Sequence, residues 1–213
     1  MQVTPSLQAE LGLSVTEAAR RAQIIGATIG TIADVGYRKT TFTRIKERAG
    51  LSSTRIISYH FTNKAGLMQA VVSTVSEQKA EFLRERTRGR VDPGDRAGNL
   101  RAHIETSVEF LRAYPECTKV LVEMAANAED EDGWYLTGPM VDQLRVGGLS
   151  RQLKQGQDEG AFGTFSPEVM AMSVAQAIDG VAAQYAANPQ LDLENYGKEL
   201  ADLFERATAP QKK

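Results

Sequence analysis

The chain has 213 residues, 42% apolar and 24% charged, with a formal net charge of −2. This is enough apolar material for one or two packed domains, and disorder is not indicated. Its one cysteine, Cys117, excludes an internal disulfide framework and any zinc site built from cysteine pairs; preceded by Pro115 and Glu116 at a helix start, it reads as a small buried hydrophobe.

No basic segment followed by an apolar run opens the chain, and no stretch approaches the roughly eighteen apolar residues of a membrane span. The expectation is a cytoplasmic protein with no membrane partner. The charge is unevenly placed: residues 14–64 hold nine Lys and Arg against three Asp and Glu, whereas residues 65–213 hold sixteen against twenty-three. A basic module on an acidic body is attracted to a phosphate backbone through one end only.

In chain order, Ala18, Ala22, Ile25, Ile29 and Ile32 recur at three- and four-residue steps, which predicts a first helix of about twenty residues ending at Gly36. Thr41 then caps a short helix with Phe42, Ile45 and Ala49 on its inner face and Arg44, Lys46 and Arg48 outside. Gly50 supplies the chain reversal, and Ser52 or Ser53 caps a second helix of about two turns. Its Ile56, Ile57 and Phe61 suit a core, leaving Arg55, Ser58, Tyr59 and His60 outside. Thr62 or Asn63 caps the helix that opens at Lys64.

Two short helices about a tight turn form the pattern that places a helix in the major groove, its first residues at base edges and its flanks on phosphates. A cation beside a helix N-terminus, here Lys64, suits a phosphate. The candidate DNA contacts are therefore Thr41, Arg44, Ser52, Ser53, Thr54, Arg55, Ser58, Tyr59, His60 and Lys64.

The helix from Lys64 continues through Leu67, Val71, Val75 and Phe82 to about Arg88, before a loop at Gly89–Gly98 that contains Pro93-Gly94. Leu100, Ile104, Val108 and Leu111 mark a fifth helix; Pro115 starts a sixth, through Val120, Leu121 and Met124 to about Ala128. After Glu129–Gly133, Pro139 opens a seventh with Met140, Leu144 and Leu153 inward, interrupted by Gly147-Gly148. Ser166-Pro167-Glu168 starts an eighth with Met170, Val174, Ile178, Val181 and Tyr185 in register, ended by Asn188-Pro189. Asp192 caps a ninth with Leu193, Tyr196, Leu200, Leu203 and Ala207.

Nothing alternates with period two for the length of a strand, so the fold class is all-α with about nine helices: a three-helix helix-turn-helix domain over 14–64 and a larger helical domain over 65–213. The acidic run Glu129–Asp132 lacks the ligand spacing of a calcium loop, and His103 stands alone on its helix. No nucleophile elbow, phosphate loop or metal-ligand cluster is present, so no enzyme activity, catalytic residue, metal or cofactor is expected.

Residues from about Arg20 to Val75 resemble the DNA-binding domain of the TetR family of bacterial transcriptional regulators. The resemblance rests on Asp34–Tyr37, Thr40 and Thr41, Ile45, Ala49–Ser52, Tyr59–Phe61, and Asn63, Lys64 and Leu67, in that order and spacing. Between Gly50 and Phe61 this chain has one more residue than the commonest family pattern, and Ser58 stands where Tyr is usual, so base contacts across Ser53–Arg55 stay open by one position.

The resemblance implies a homodimeric, ligand-responsive repressor that occupies a palindromic operator in double-stranded DNA and releases it when a small molecule fills the C-terminal domain. It implies that the last two helices, Pro167–Ala187 and Asp192–Thr208, pair with those of a second subunit, with Val174, Ile178, Val181, Leu200 and Leu203 at the interface. It also places an effector pocket mid-chain, where Phe110, Met124, Trp134, Met140, Leu144 and Phe162 would suit a lipophilic ligand. An activator of the same fold, or a helical ligand-binding protein without DNA binding, remains an alternative.

Overall fold

The computed structural model describes residues 15–89, 91–92, 94–127 and 138–210. Among them are nine α-helices and no strand: α1 (Val15–Val35), α2 (Phe42–Arg48), α3 (Arg55–His60), α4 (Lys64–Thr87), α5 (Arg96–Ala113), α6 (Pro115–Ala126), α7 (Gly138–Asp158), α8 (Pro167–Ala187) and α9 (Leu193–Thr208). They fall into two compact units, one drawn from residues 1–75 and 119–137 and the other from 76–118 and 138–213.

In the first unit, α2 and α3 pack on α1. The stripe predicted for α1 is buried at Ala18, Ile25, Ile29 and Ile32, joined by Ile24, and the core is completed by Ile45 of α2, Ile57 of α3, and Leu67, Met68 and Val71 of α4. Two threonines on α1 are also buried. Their hydroxyls donate to carbonyls one turn back, Thr28 to Ile24 at 2.8 Å and Thr31 to Ala27 at 2.7 Å, which removes the cost of burying them.

In the second unit α5 lies along α9 and α7 along α8, with α5 also against α8. Leu100, Ile104, Val108 and Leu111 of α5 share one core with Val146, Leu149 and Leu153 of α7, Val174, Ile178 and Val181 of α8, and Leu200 and Phe204 of α9. Each large side chain among these contributes roughly 1.5–3 kcal/mol by leaving water. At the edge of this core Arg101 of α5 donates to Asp202 and Glu205 of α9 and pairs with Glu105 one turn on. At Gly197 α9 runs close to α5, where a β-carbon would make ordinary contacts at 3.5 Å with the Val108 side chain and 3.6 Å with the Glu105 backbone.

This packing corrects two expectations. Val174, Ile178, Val181 and Leu200 fill the chain's own core instead of a subunit interface; of the five, only Leu203, 53% exposed, faces outward. A helical stripe specifies that one face is buried, not which chain buries it, and here α5, α7 and α9 all pack on α8. Gly147-Gly148 does not interrupt α7, which runs unbroken from Gly138 to Asp158. The roughly 1 kcal/mol each glycine costs is outweighed by the packing of its neighbours Val146 and Leu149. Glu129–Gly133 and Trp134 lie outside the described residues, as do the side chains of Met140 and Leu144.

Candidate nucleic-acid interface

The site is built on local hydrogen bonds that the sequence encodes within a few residues. Thr41 is extended (φ −117°, ψ 156°) and its hydroxyl accepts from the Arg44 amide at 3.3 Å, which starts α2. Gly50 turns the chain at φ +63°, where a β-carbon would meet no neighbour, so backbone conformation alone selects glycine there. At the start of α3 the Ser53 hydroxyl accepts from the Arg55 amide at 3.2 Å, while Thr54, the residue flanking the helix, makes no side-chain cap. Asn63 Oδ1 accepts from the Gly66 amide at 2.8 Å and so caps α4.

Three contacts then fix α2 and α3 against α1. Gln23 Nε2 donates to the carbonyl of Ala49 at 2.7 Å, holding the end of α2. Arg21 donates to the carbonyl of His60 and lays its guanidinium over the Phe61 ring, 4.2 Å from the centroid, holding the end of α3. Arg48 pairs with Asp34 at 2.5 Å. Sequence spacing assigns Arg21 and Gln23 no role, because no rule of periodicity links a polar residue on one helix to a carbonyl 39 or 26 positions later.

What faces outward follows from this bracing. Thr41, Arg44, Ser52, Arg55, Ser58 and Tyr59 are exposed, Tyr59 by 76%. Ser53, Thr54, His60 and Lys64 are half-buried. Tyr59 donates its hydroxyl to Glu17 at 3.4 Å and meets His60 edge-on. Burial, followed by the nearby Arg21, holds the His60 imidazole below its usual value. The Lys64 ammonium lies 4.8 Å from the buried Tyr37 ring at the start of α4. Arg44 and Arg55 therefore present charge on the outer sides of α2 and α3, as a groove reader flanked by phosphates requires.

Three of the expected pocket residues, Phe110, Met124 and Phe162, have described side chains. Phe110 stacks with Phe82 and Tyr114, at centroid distances of 5.6 and 5.0 Å, whereas Phe162 sits in the core of the second unit. Met124 is buried in the first unit. Cys117 is buried, as its context predicts, and burial pushes its thiol up to about 11, so it stays protonated at neutral pH. Among the described residues no group of three or more His, Cys, Asp or Glu side chains is placed to hold a metal, and no helix is long and apolar enough to cross a membrane.

α2 and α3, joined by the turn at Gly50 and packed on α1, have the arrangement of a helix-turn-helix. Residues 24–71 match the sequence profile of the family described as bacterial regulatory proteins, tetR family. Over 109 residues the chain is 31% identical to the HTH-type transcriptional regulator BetI of Cronobacter sakazakii, an alignment covering 51% of this chain and 53% of that protein. It thus spans about half the length of this curated relative.

Solved structures share the fold over nearly the whole chain. A TetR family transcription regulator from Marinobacter aquaeolei superposes with a TM-score of 0.75 at 17% identity, covering 92% of this chain and 98% of that one. The fatty acid degradation regulator FadR from Bacillus halodurans gives 0.71 at 19%, covering 87% and 94%. Residues 24–71 are thus similar to the DNA-binding region of the tetR family, and these solved structures share the fold of the chain.

Proposed function

We propose that this protein is a homodimeric, ligand-responsive repressor, which reads a palindromic operator with residues 14–64 and uses residues 65–213 for effector binding and dimerisation. The observation that carries the proposal is the exposed Arg44, Arg55 and Ser58 on two short helices, with Ser52 exposed in the turn between them, whose ends are tied to α1 by Arg21 and Gln23. A rigid platform of this kind loses little ordering entropy on binding. Such a regulator works in the cytoplasm, where the DNA is.

A dimer is supported by the outer face of α8. Val169, Ser173, Gln176, Gly180, Ala183 and Ala187 are all exposed, follow alternating four- and three-residue steps, and carry no charge. That is the spacing of a helix–helix seam, and Leu203 of α9 adds an exposed apolar side chain. Two copies would present two recognition helices to half-sites one helical turn, about 34–36 Å, apart.

An effector site is supported by one face of α5, where His103, Ser107, Phe110 and Tyr114 recur at helical steps and Phe82 of α4 closes on the two aromatic rings. The Ser107 hydroxyl is buried without a hydrogen bond. Such a group costs about 1–3 kcal/mol, which a ligand hydroxyl or carbonyl would recover. An apolar molecule with one polar end suits that face. FadR, of the same fold, is named for fatty acid degradation.

Selection of duplexes from a random pool tests the reading. The expected product is an inverted repeat with half-sites one turn apart. Joint replacement of Ser53, Thr54 and Arg55 by Ala should erode discrimination against scrambled DNA by about 1–3 kcal/mol for each base edge no longer read. No enrichment, or discrimination untouched by the triple change, would overturn it. Activation in place of repression would appear as increased output from a promoter beside the selected site.

A further inference from the structure

We propose that Glu123 of α6 is a positioning residue for DNA binding, acting through the turn between α1 and α2; the inference rests on the DNA-binding reading above. Glu123 Oε2 accepts a hydrogen bond from the backbone amide of Tyr37 at 2.8 Å, across 86 positions of sequence. The same carboxylate lies against Gly36, where a β-carbon would stand 3.1 Å from Oε2. One turn on, Asn127 Oδ1 accepts from Arg38 Nε at 3.0 Å while Asn127 Nδ2 donates to the carbonyl of Glu123 at 2.8 Å. The end of α6 thus holds two successive residues of that turn.

From Tyr37 the chain is wired forward to the DNA face. The Thr40 amide donates to the Tyr37 carbonyl at 3.0 Å, and the Thr40 hydroxyl donates to the Gly36 carbonyl at 2.8 Å. The next residue, Thr41, caps α2 through the amide of Arg44. A short chain of hydrogen bonds therefore joins the Glu123 carboxylate to the helix that exposes Arg44. The buried Tyr37 ring also lies under the Lys64 ammonium at the start of α4, so the same turn bears on the candidate phosphate contact. α6 begins among residues of the second compact unit and passes into the first at Lys119. Glu123 and Asn127 are groups through which α6 grips the DNA-binding helices.

A carboxylate accepting from a backbone amide is a charge-assisted bond, and losing it leaves a turn amide without that acceptor. The turn then samples more conformations, which DNA binding must remove again.

The test uses the full chain with Glu123→Ala, Glu123→Gln, and Glu116→Ala as a control carboxylate on the same helix. Two quantities are read: exchange of the Tyr37 amide, and affinity with its salt slope for the duplex selected by the unaltered protein. In the unaltered protein the Tyr37 amide should exchange ~100-fold or more slower than in an unstructured peptide. Glu123→Ala should speed that exchange and weaken the duplex about tenfold with the salt slope unchanged, because no phosphate-binding group is removed. Glu123→Gln, which keeps an acceptor oxygen, should restore both readings, and Glu116→Ala should alter neither.

If Glu123→Ala loses helicity, Glu123→Asp, one methylene short of reach, serves in its place. Unchanged Tyr37 exchange in the variant, or faster exchange with undiminished affinity, overturns the positioning role alone. Failure of the unaltered protein to select any duplex overturns the DNA-binding reading and this role with it.

Discussion

Replacing Ile178 by Ala distinguishes an α8 that buries its apolar stripe inside the chain from one that saves it for a partner. Ile178 is 4% exposed and shares a core with Val174, Val181, Ile104 and Leu200. The change removes three carbons, roughly 2.4 kcal/mol at about 0.8 kcal/mol per buried methylene. The cavity left behind adds to this, within the range of about 2–5 kcal/mol usual for such truncations. A loss of about 3 kcal/mol should lower the melting temperature of a chain this size by roughly 6–12 °C. The assay is urea unfolding at two protein concentrations about a hundredfold apart, with sedimentation equilibrium alongside. A core residue costs the same at both concentrations and leaves the association state unchanged. If the folded chain at high concentration were as stable as the unaltered protein, and only its dissociation constant moved, Ile178 would be an interface residue and the packing described for α8 would be wrong.

Three further outcomes follow from individual side chains. Leu203→Glu should keep the helical content of the chain, because the side chain is exposed in the single subunit, yet yield a monomer on sedimentation whose unfolding no longer depends on protein concentration; a surviving dimer would move the interface away from this face of α9. Gly50→Ala should cost about 1–2 kcal/mol, the backbone penalty of a left-handed conformation alone, since a β-carbon there meets nothing; a much larger loss in denaturant unfolding would reveal a clash. His103 is driven down to about 4 by burial first and then by Lys79. The unfolded chain therefore takes up a proton near pH 6.5 that the native protein refuses until about 4, and stability should fall as pH drops through that window. His103→Gln should flatten that part of the stability curve, and parallel curves for the two proteins would refute the assignment.

The parts of this protein legible in its sequence are those whose physics is complete within about one helical turn. Thr41, Gly50 and Asn63 mark helix boundaries because each acts on amides or torsions close by, and the structure shows all three doing so. The apolar steps of α1, α8 and α9 likewise reveal helices, because a buried face must recur every three or four residues. Periodicity does not name the surface that covers the face. Only the packing of α5, α7 and α9 on α8 decided that Val174, Ile178 and Val181 belong to the chain's own core and left Val169, Ser173, Gln176, Gly180 and Ala183 exposed. Nor does it pair distant polar groups. Arg21 with His60, Gln23 with Ala49 and Glu123 with Tyr37 are separated by 39, 26 and 86 positions, and each bond forms only because the folded backbone brings donor and acceptor within reach. Local hydrogen bonding and burial wrote the helices into the sequence; chain reversal over long distances decided which of their side chains meet.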